Sequence, residues 1–231
     1  MNTMTNNIKD EITRRSAEIL QKLIADPKIS TYVTTNKIPS VFIETDDIRK
    51  IRLIVIGQDP TVKNEASRKT ITTVLNLDKP NGSISKYLSI ICDGLGLNIH
   101  QQVYATNYAK NFFIRPPTQI KECNLLDETG CYWLPLLRKE LSLFPDCTII
   151  TLGEPLLRAI LIKPRKALLR DYWGYTQGWI SNQPVFSYVP PEENKLNQKI
   201  FPFPHQPSIR KAFYRATLYS YLNYVRNNSS N

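Results

Sequence analysis

Three polar side chains stand where this chain could do chemistry: Asp59, Asn107 and His205. Asp59 stands next to last in the run IRLIVIGQDP, residues 51–60. A carboxylate at such a point can hold or direct a proton. Asn107 ends the run QVYATN, and its amide offers both a donor and an acceptor. His205 opens HQPS, with a ring that titrates near neutral pH. Each residue has a plainer reading beside the chemical one. Asp59 is equally a loop cap, Asn107 a turn residue and His205 a satisfied surface histidine.

The two readings are separated by the set of elements that positions these groups. Ile51, Leu53, Ile54, Val55 and Ile56 form a near-continuous apolar run, the pattern of a strand buried on both faces of a parallel sheet. Gly57 turns the backbone and Pro60 stiffens the loop beyond it, so Gln58 and Asp59 are held at the strand's carboxyl end. Further strands are expected over residues 102–107, 147–152 and 200–203, ending on TNYAK, LGEP and HQPS. Between and around them the spacing predicts helices. One covers 8–25, with Ile12, Ile19, Leu20, Leu23 and Ile24 as its stripe, and stops at Asp26-Pro27. A second is capped by Ser83, carries Ile84, Leu88, Ile91 and Leu95, and ends at Gly94 and Gly96. A third carries Leu134, Leu137, Leu141 and Phe144, and a short helix comes after LGEP. The last begins near Ser208, with Ala212, Ala216, Tyr219 and Leu222 on one stripe. Residues 61–70 read as a surface loop. Residues 171–191 hold Tyr172, Trp173, Tyr175 and Trp179 in a hairpin or an extended insertion.

Strands alternating with helices predict an α/β protein: a three-layer α/β/α sandwich around a mostly parallel four-stranded sheet. One domain over 1–231 is expected, with an N-terminal helical extension of about 48 residues. Parallel strands bring their carboxyl ends to one edge, where ligands bind in open sheets. Asp59, Asn107 and His205 would then meet in one cleft.

Composition narrows the partners. Net charge is +10 and the pI is about 9.4, a balance that favours a polyanion. No Asp or Glu occurs from Lys195 to the end, leaving Lys195, Lys199, Arg210, Lys211, Arg215 and Arg226 unopposed. Arg158, Lys163, Arg165, Lys166 and Arg170 make a second basic group. No apolar run reaches the ~20 residues of a membrane span, and the N-terminus has no apolar signal core. A cytoplasmic protein is expected. Cys92, Cys123, Cys131 and Cys147 form no C-x-x-C pair and read as buried structural thiols.

GQDP at 57–60, TNYAK at 106–110 and PHQPSIRKAFY at 204–214 together resemble, in order, the motifs of the uracil-DNA glycosylase superfamily. The segment from RPPT to LGEP is similar to its iron–sulfur branch. The resemblance covers residues 51–214 and implies a DNA glycosylase that hydrolyses the N-glycosidic bond of uracil, or of a related deaminated base, in base-excision repair. It implies roles as well. Asp59 would stabilise the sugar cation and orient the attacking water. His205 and backbone N–H groups near Gln58 would face the developing charge on the base. The base would be flipped out of the DNA and read by Asn107, with Gly57 and Gln58 beneath it and Leu75 covering it where relatives carry an aromatic. Loops 79–85, 153–155 and 206–211 would grip DNA, through Ser83, Gly153, Ser208, Arg210 and Lys211. Ile209 is either a wedge into the vacated stack or a core-facing residue.

Three departures stand out. Thr61 replaces the tyrosine that excludes the thymine methyl. No cysteine precedes Cys92, so no cluster, metal or other cofactor is expected, and Cys131 is the relic of a ligand position. Gln206 is inserted between His205 and Pro207. A monomer acting on single- or double-stranded DNA is expected. Two alternatives accompany it: a catalytically weak or inactive DNA-binding protein on the same fold, and a hydrolase of free nucleosides. The unopposed positive charge disfavours the latter.

Overall fold

Four short strands of aliphatic and aromatic residues form the centre: β1 (Leu53–Gly57), β2 (Val103–Asn107), β3 (Thr148–Leu152) and β4 (Ile200–Phe203). Every residue of β1 and β2 is buried, as strands covered on both faces must be. The computed structural model describes residues 4–163, 168–175 and 184–229. All strand pairs are parallel, in the order β2-β1-β3-β4, with Gly57 opposite Asn107 and Thr151 opposite Pro202. Pro202 has no N–H to donate and is tolerated on an outer strand.

The chain leaves β1 outward to β2, then crosses back over β1 to reach β3 and β4. Right-handed crossovers place helices from these opposite steps on opposite faces of the sheet. Helix α1 (Met4–Ala25) packs with α3 (Leu125–Ser142), and α2 (Ser83–Leu95) packs with α5 (Ala212–Ser229). The short α4 (Glu154–Ile160) comes directly after β3. The three-layer sandwich is therefore present, with a wholly parallel sheet. Helix α1 contributes Ile12 and Leu23 to the common core. After it, Phe42 and Ala105 exchange backbone hydrogen bonds of 2.9 Å, covering the outer edge of β2.

Several local expectations are corrected. Ser83 is the first residue of α2 and not its cap; Gly82 holds that position without a side-chain bond. Gly94 lies inside α2, where a Cβ would come 2.5 Å from Leu222 Cδ1, so it permits close contact with α5. Gly96 ends the helix at φ 73°, the left-handed conformation glycine adopts without strain. Ser208–Arg210 is a separate turn, and α5 starts at Ala212. Its buried face is Phe213, Tyr214, Leu218, Tyr221, Leu222 and Val225, while Ala212, Ala216 and Tyr219 face outward. Both stripes obey helical spacing; the one with larger aromatic area is buried. The expected loop 61–70 contains a helical turn, Glu65–Arg68, capped by the Asn64 side chain.

Trp173, fully buried, stacks on Tyr221 at 4.1 Å and donates to the Pro202 carbonyl at 2.8 Å. Of the hairpin or insertion expected over 171–191, the start belongs to a helical turn, Leu169–Tyr172, while residues 176–183 with Trp179, like the cations Arg165 and Lys166, lie outside the described residues. Beneath β2, Lys110 and Glu140 form a buried ion pair at 2.7 Å. Tyr104 donates to the same carboxylate, and Lys110 donates to the Thr106 hydroxyl and, at 3.2 Å, to the Asn107 carbonyl. Desolvation depresses the Lys110 pKa and Glu140 opposes that shift. Among the described residues, no helix is long and apolar enough to cross a membrane.

Candidate active site at the carboxyl edge of the sheet

The strand order reverses direction at β1, which opens a crevice between the loops that leave β1 and β3. A cleft of about 390 Å³ lies there. Its walls are residues 57–62 at and beyond the end of β1, Leu152, Gly153 and Pro155 at and beyond the end of β3, and His205 and Gln206 after β4. Leu75, Asn76, Pro116 and Thr118 close it from other loops.

Asp59 is both cap and cleft residue. Its Oδ1 accepts the Thr61 N–H at 2.8 Å, a local turn, and its Oδ2 accepts the Gln58 amide at 2.7 Å. Burial pushes its pKa up to about 6. The Thr61 hydroxyl and N–H, the Gln58 amide and the charge of Arg68 hold it down from a still larger rise. The Thr61 hydroxyl oxygen accepts the Phe113 N–H at 2.9 Å, which fixes it in place. A carboxylate poised near neutrality and ringed by donors can stay ionised and direct a water.

His205 borders the opposite wall, open to solvent on one side. Burial of the rest lowers its pKa, favouring the neutral ring. Its carbonyl accepts from Ser208 and Ile209 at 2.7 and 3.2 Å, so the turn 208–210 hangs from it.

Asn107 is the exception to the expected convergence. It ends β2, on the far side of β1 from the crevice, and its side chain is buried behind Gly57 rather than lining the cleft. A Cβ on Gly57 would come 2.3 Å from Asn107 Oδ1 and 2.8 Å from Leu75 Cδ2. Only glycine fits between the two. Asn107 Oδ1 is buried without a hydrogen-bond partner, an acceptor left open. Leu75 and Asn76 are both left-handed, at φ 59° and 53°, and Leu75 bears steric strain to lean over Gly57. Asn76 Oδ1 is a second buried acceptor without a partner.

The expected DNA-contacting residues fall on the rim. Gly153 adopts φ 97° at the head of α4 and lines the cleft. Ser83, Arg210 and Lys211 are exposed, and Ser208 is partly so. Ile209 packs partly against the core. The thiols differ from the buried set expected: Cys92 is buried, with its pKa pushed up to about 12, but Cys131 is exposed.

Arg68 escaped the sequence reading. It is buried, donates to the Val62 and Phe113 carbonyls at 2.9 and 3.0 Å, and ties the loop after Asp59 to the loop after β2. An arginine in a polar run carries no periodic signal. Asn76, Pro116 and Thr118 were also unforeseen, since loop side chains meet only once the fold is closed.

No protein-family model matches the chain, and no curated protein matches it either.

Proposed function

We propose that the protein is a DNA glycosylase that hydrolyses the N-glycosidic bond of uracil, or of a related deaminated base, in base-excision repair. One observation carries the reading: Asp59, ringed by donors with its pKa near 6, stands at the carboxyl edge of the sheet and shares a cleft with a neutral-leaning His205. The cleavage needs little more from the chain. As the bond to the sugar lengthens, positive charge grows on the deoxyribose and negative charge on the base. Ionised Asp59 faces the first and orients water; the His205 ring donates toward the second. The open acceptor of Asn107 suits the N3–H of uracil. Leu75 moves aside to admit the base.

A second reading has its own support. Asn107 lies behind Gly57, with Leu75 closing the space between it and the cleft. If Leu75 does not move, the protein is a DNA-binding member of the same fold that excises nothing. The proposed setting is a reducing cytoplasm, which suits free thiols.

The deciding experiment incubates the protein with single-stranded DNA carrying one uracil, then cleaves abasic sites with alkali. Strand breaks that disappear in Asp59→Asn support excision. No breaks, with Asp59→Asn binding DNA as well as the parent, leaves the binding reading.

A further inference from the structure

Beside the cleft lies a second concavity of about 650 Å³, and Ile71 borders both. Lys37, Ser40, Arg68, Lys69, Thr72 and Thr73 are among the residues that form its walls. Three of these are cations, and no carboxylate lines it. The walls are fixed by backbone pairing: Ser40 N–H donates to the Thr72 carbonyl and Val74 N–H to the Ser40 carbonyl, each at 2.9 Å. Arg68 is buried in the wall, yet among the described residues no carboxylate lies within ion-pairing distance of it. Its two hydrogen bonds go to neutral carbonyls, and its charge acts at a distance on Asp59. Lys37 and Lys69 are exposed and make no ion pair among the described residues. One acid is tied to the lining from outside, Asp78, which accepts the Thr72 hydroxyl at 2.7 Å.

A concavity of this kind offers donors and positive charge and little to accept a donor or hold a cation. Its chemistry fits a phosphate. A free phosphate needs no neighbouring cleft, whereas a nucleic-acid strand lying in the cleft can reach the concavity across the shared wall at Ile71. We propose that this concavity seats a backbone phosphate of the DNA strand whose target base enters the cleft. The inference rests on the glycosylase reading for the identity of the strand.

The test is a binding titration by fluorescence anisotropy, using single-stranded oligonucleotides with one uracil. Each phosphate around the uracil is replaced in turn by a neutral methylphosphonate. The parent is compared with Lys37→Gln/Lys69→Gln and with Lys50→Gln/Arg226→Gln, which removes equal charge near the opposite edge of the sheet. One phosphate position should weaken the parent several-fold when neutralised, and should have no further effect in Lys37→Gln/Lys69→Gln. That variant should also lose about 0.7 from the slope of log affinity against log salt for each phosphate released. Equal sensitivity at every position in all three proteins overturns the proposal. So does saturable binding of inorganic phosphate that leaves oligonucleotide affinity untouched. If the parent binds but never cuts, the concavity stands and the excision reading falls. If the parent binds no oligonucleotide, both fall.

Discussion

Asp59 is held as a carboxylate at a cost. Its folded-state pKa, about 6, lies above the ordinary 3.8, so the folded chain binds the proton more tightly than the unfolded chain does. Stability therefore falls as pH rises through the window between those values, and the full loss, roughly 2 kcal/mol after allowing for its open face, is present at pH 7. Asp59→Asn should raise the melting temperature at pH 7.5, with the difference vanishing near pH 4 in a calorimetric series. Excision should rise with pH and reach half its plateau near pH 6. Thr61→Val removes a hydroxyl that holds this pKa down and deprives the Phe113 N–H of its acceptor. The half-plateau should then move to higher pH, while Thr61→Ser keeps it in place; pH–rate profiles on a uracil oligonucleotide decide this. The sequence allowed Asp59 to be cap or cleft residue, and the turn at Thr61 makes it both at once. Arg68 was not legible, because burial of a charge depends on carbonyls such as that of Phe113, far away in sequence.

At the level of elements, strands read well where the apolar run was continuous. The run 200–203 and the observed β4 coincide, and β1 to β3 begin one or two residues later than the apolar pattern suggested. Helix α5 read less well, because alanine and aromatic residues alternate around it and more than one face obeys the helical period. Which face is buried is decided by Trp173, a residue from a stretch whose fold the sequence left open. The Lys110–Glu140 pair links the loop after β2 to α3. Lys110→Met should cost about 3–5 kcal/mol in denaturant unfolding, since it leaves a buried carboxylate unpaired. Adding Glu140→Gln should recover most of that loss, which a merely steric defect at Lys110 would not allow.

Across the whole molecule, the net charge of +10 read from the sequence has a definite consequence. Affinity for undamaged single-stranded DNA should drop roughly 10- to 100-fold between 50 and 200 mM salt, as expected when several phosphates are neutralised. A flat response would remove the polyanion partner on which the glycosylase reading depends. Convergence at one sheet edge was legible for Asp59 and His205, since parallel strands demand it. It was not legible that Asn107 would end behind the cleft, because that depends on strand order, with β2 placed on the outer side of β1.

Thr61 joins two properties that other sites keep apart. It borders the cleft, and its hydroxyl and N–H hold down an Asp59 pKa that burial raises. On the glycosylase reading, a change here that removes the hydroxyl alters base preference and pH optimum together. Recovering the old acidity then requires a second change among the remaining donors, Gln58 first among them.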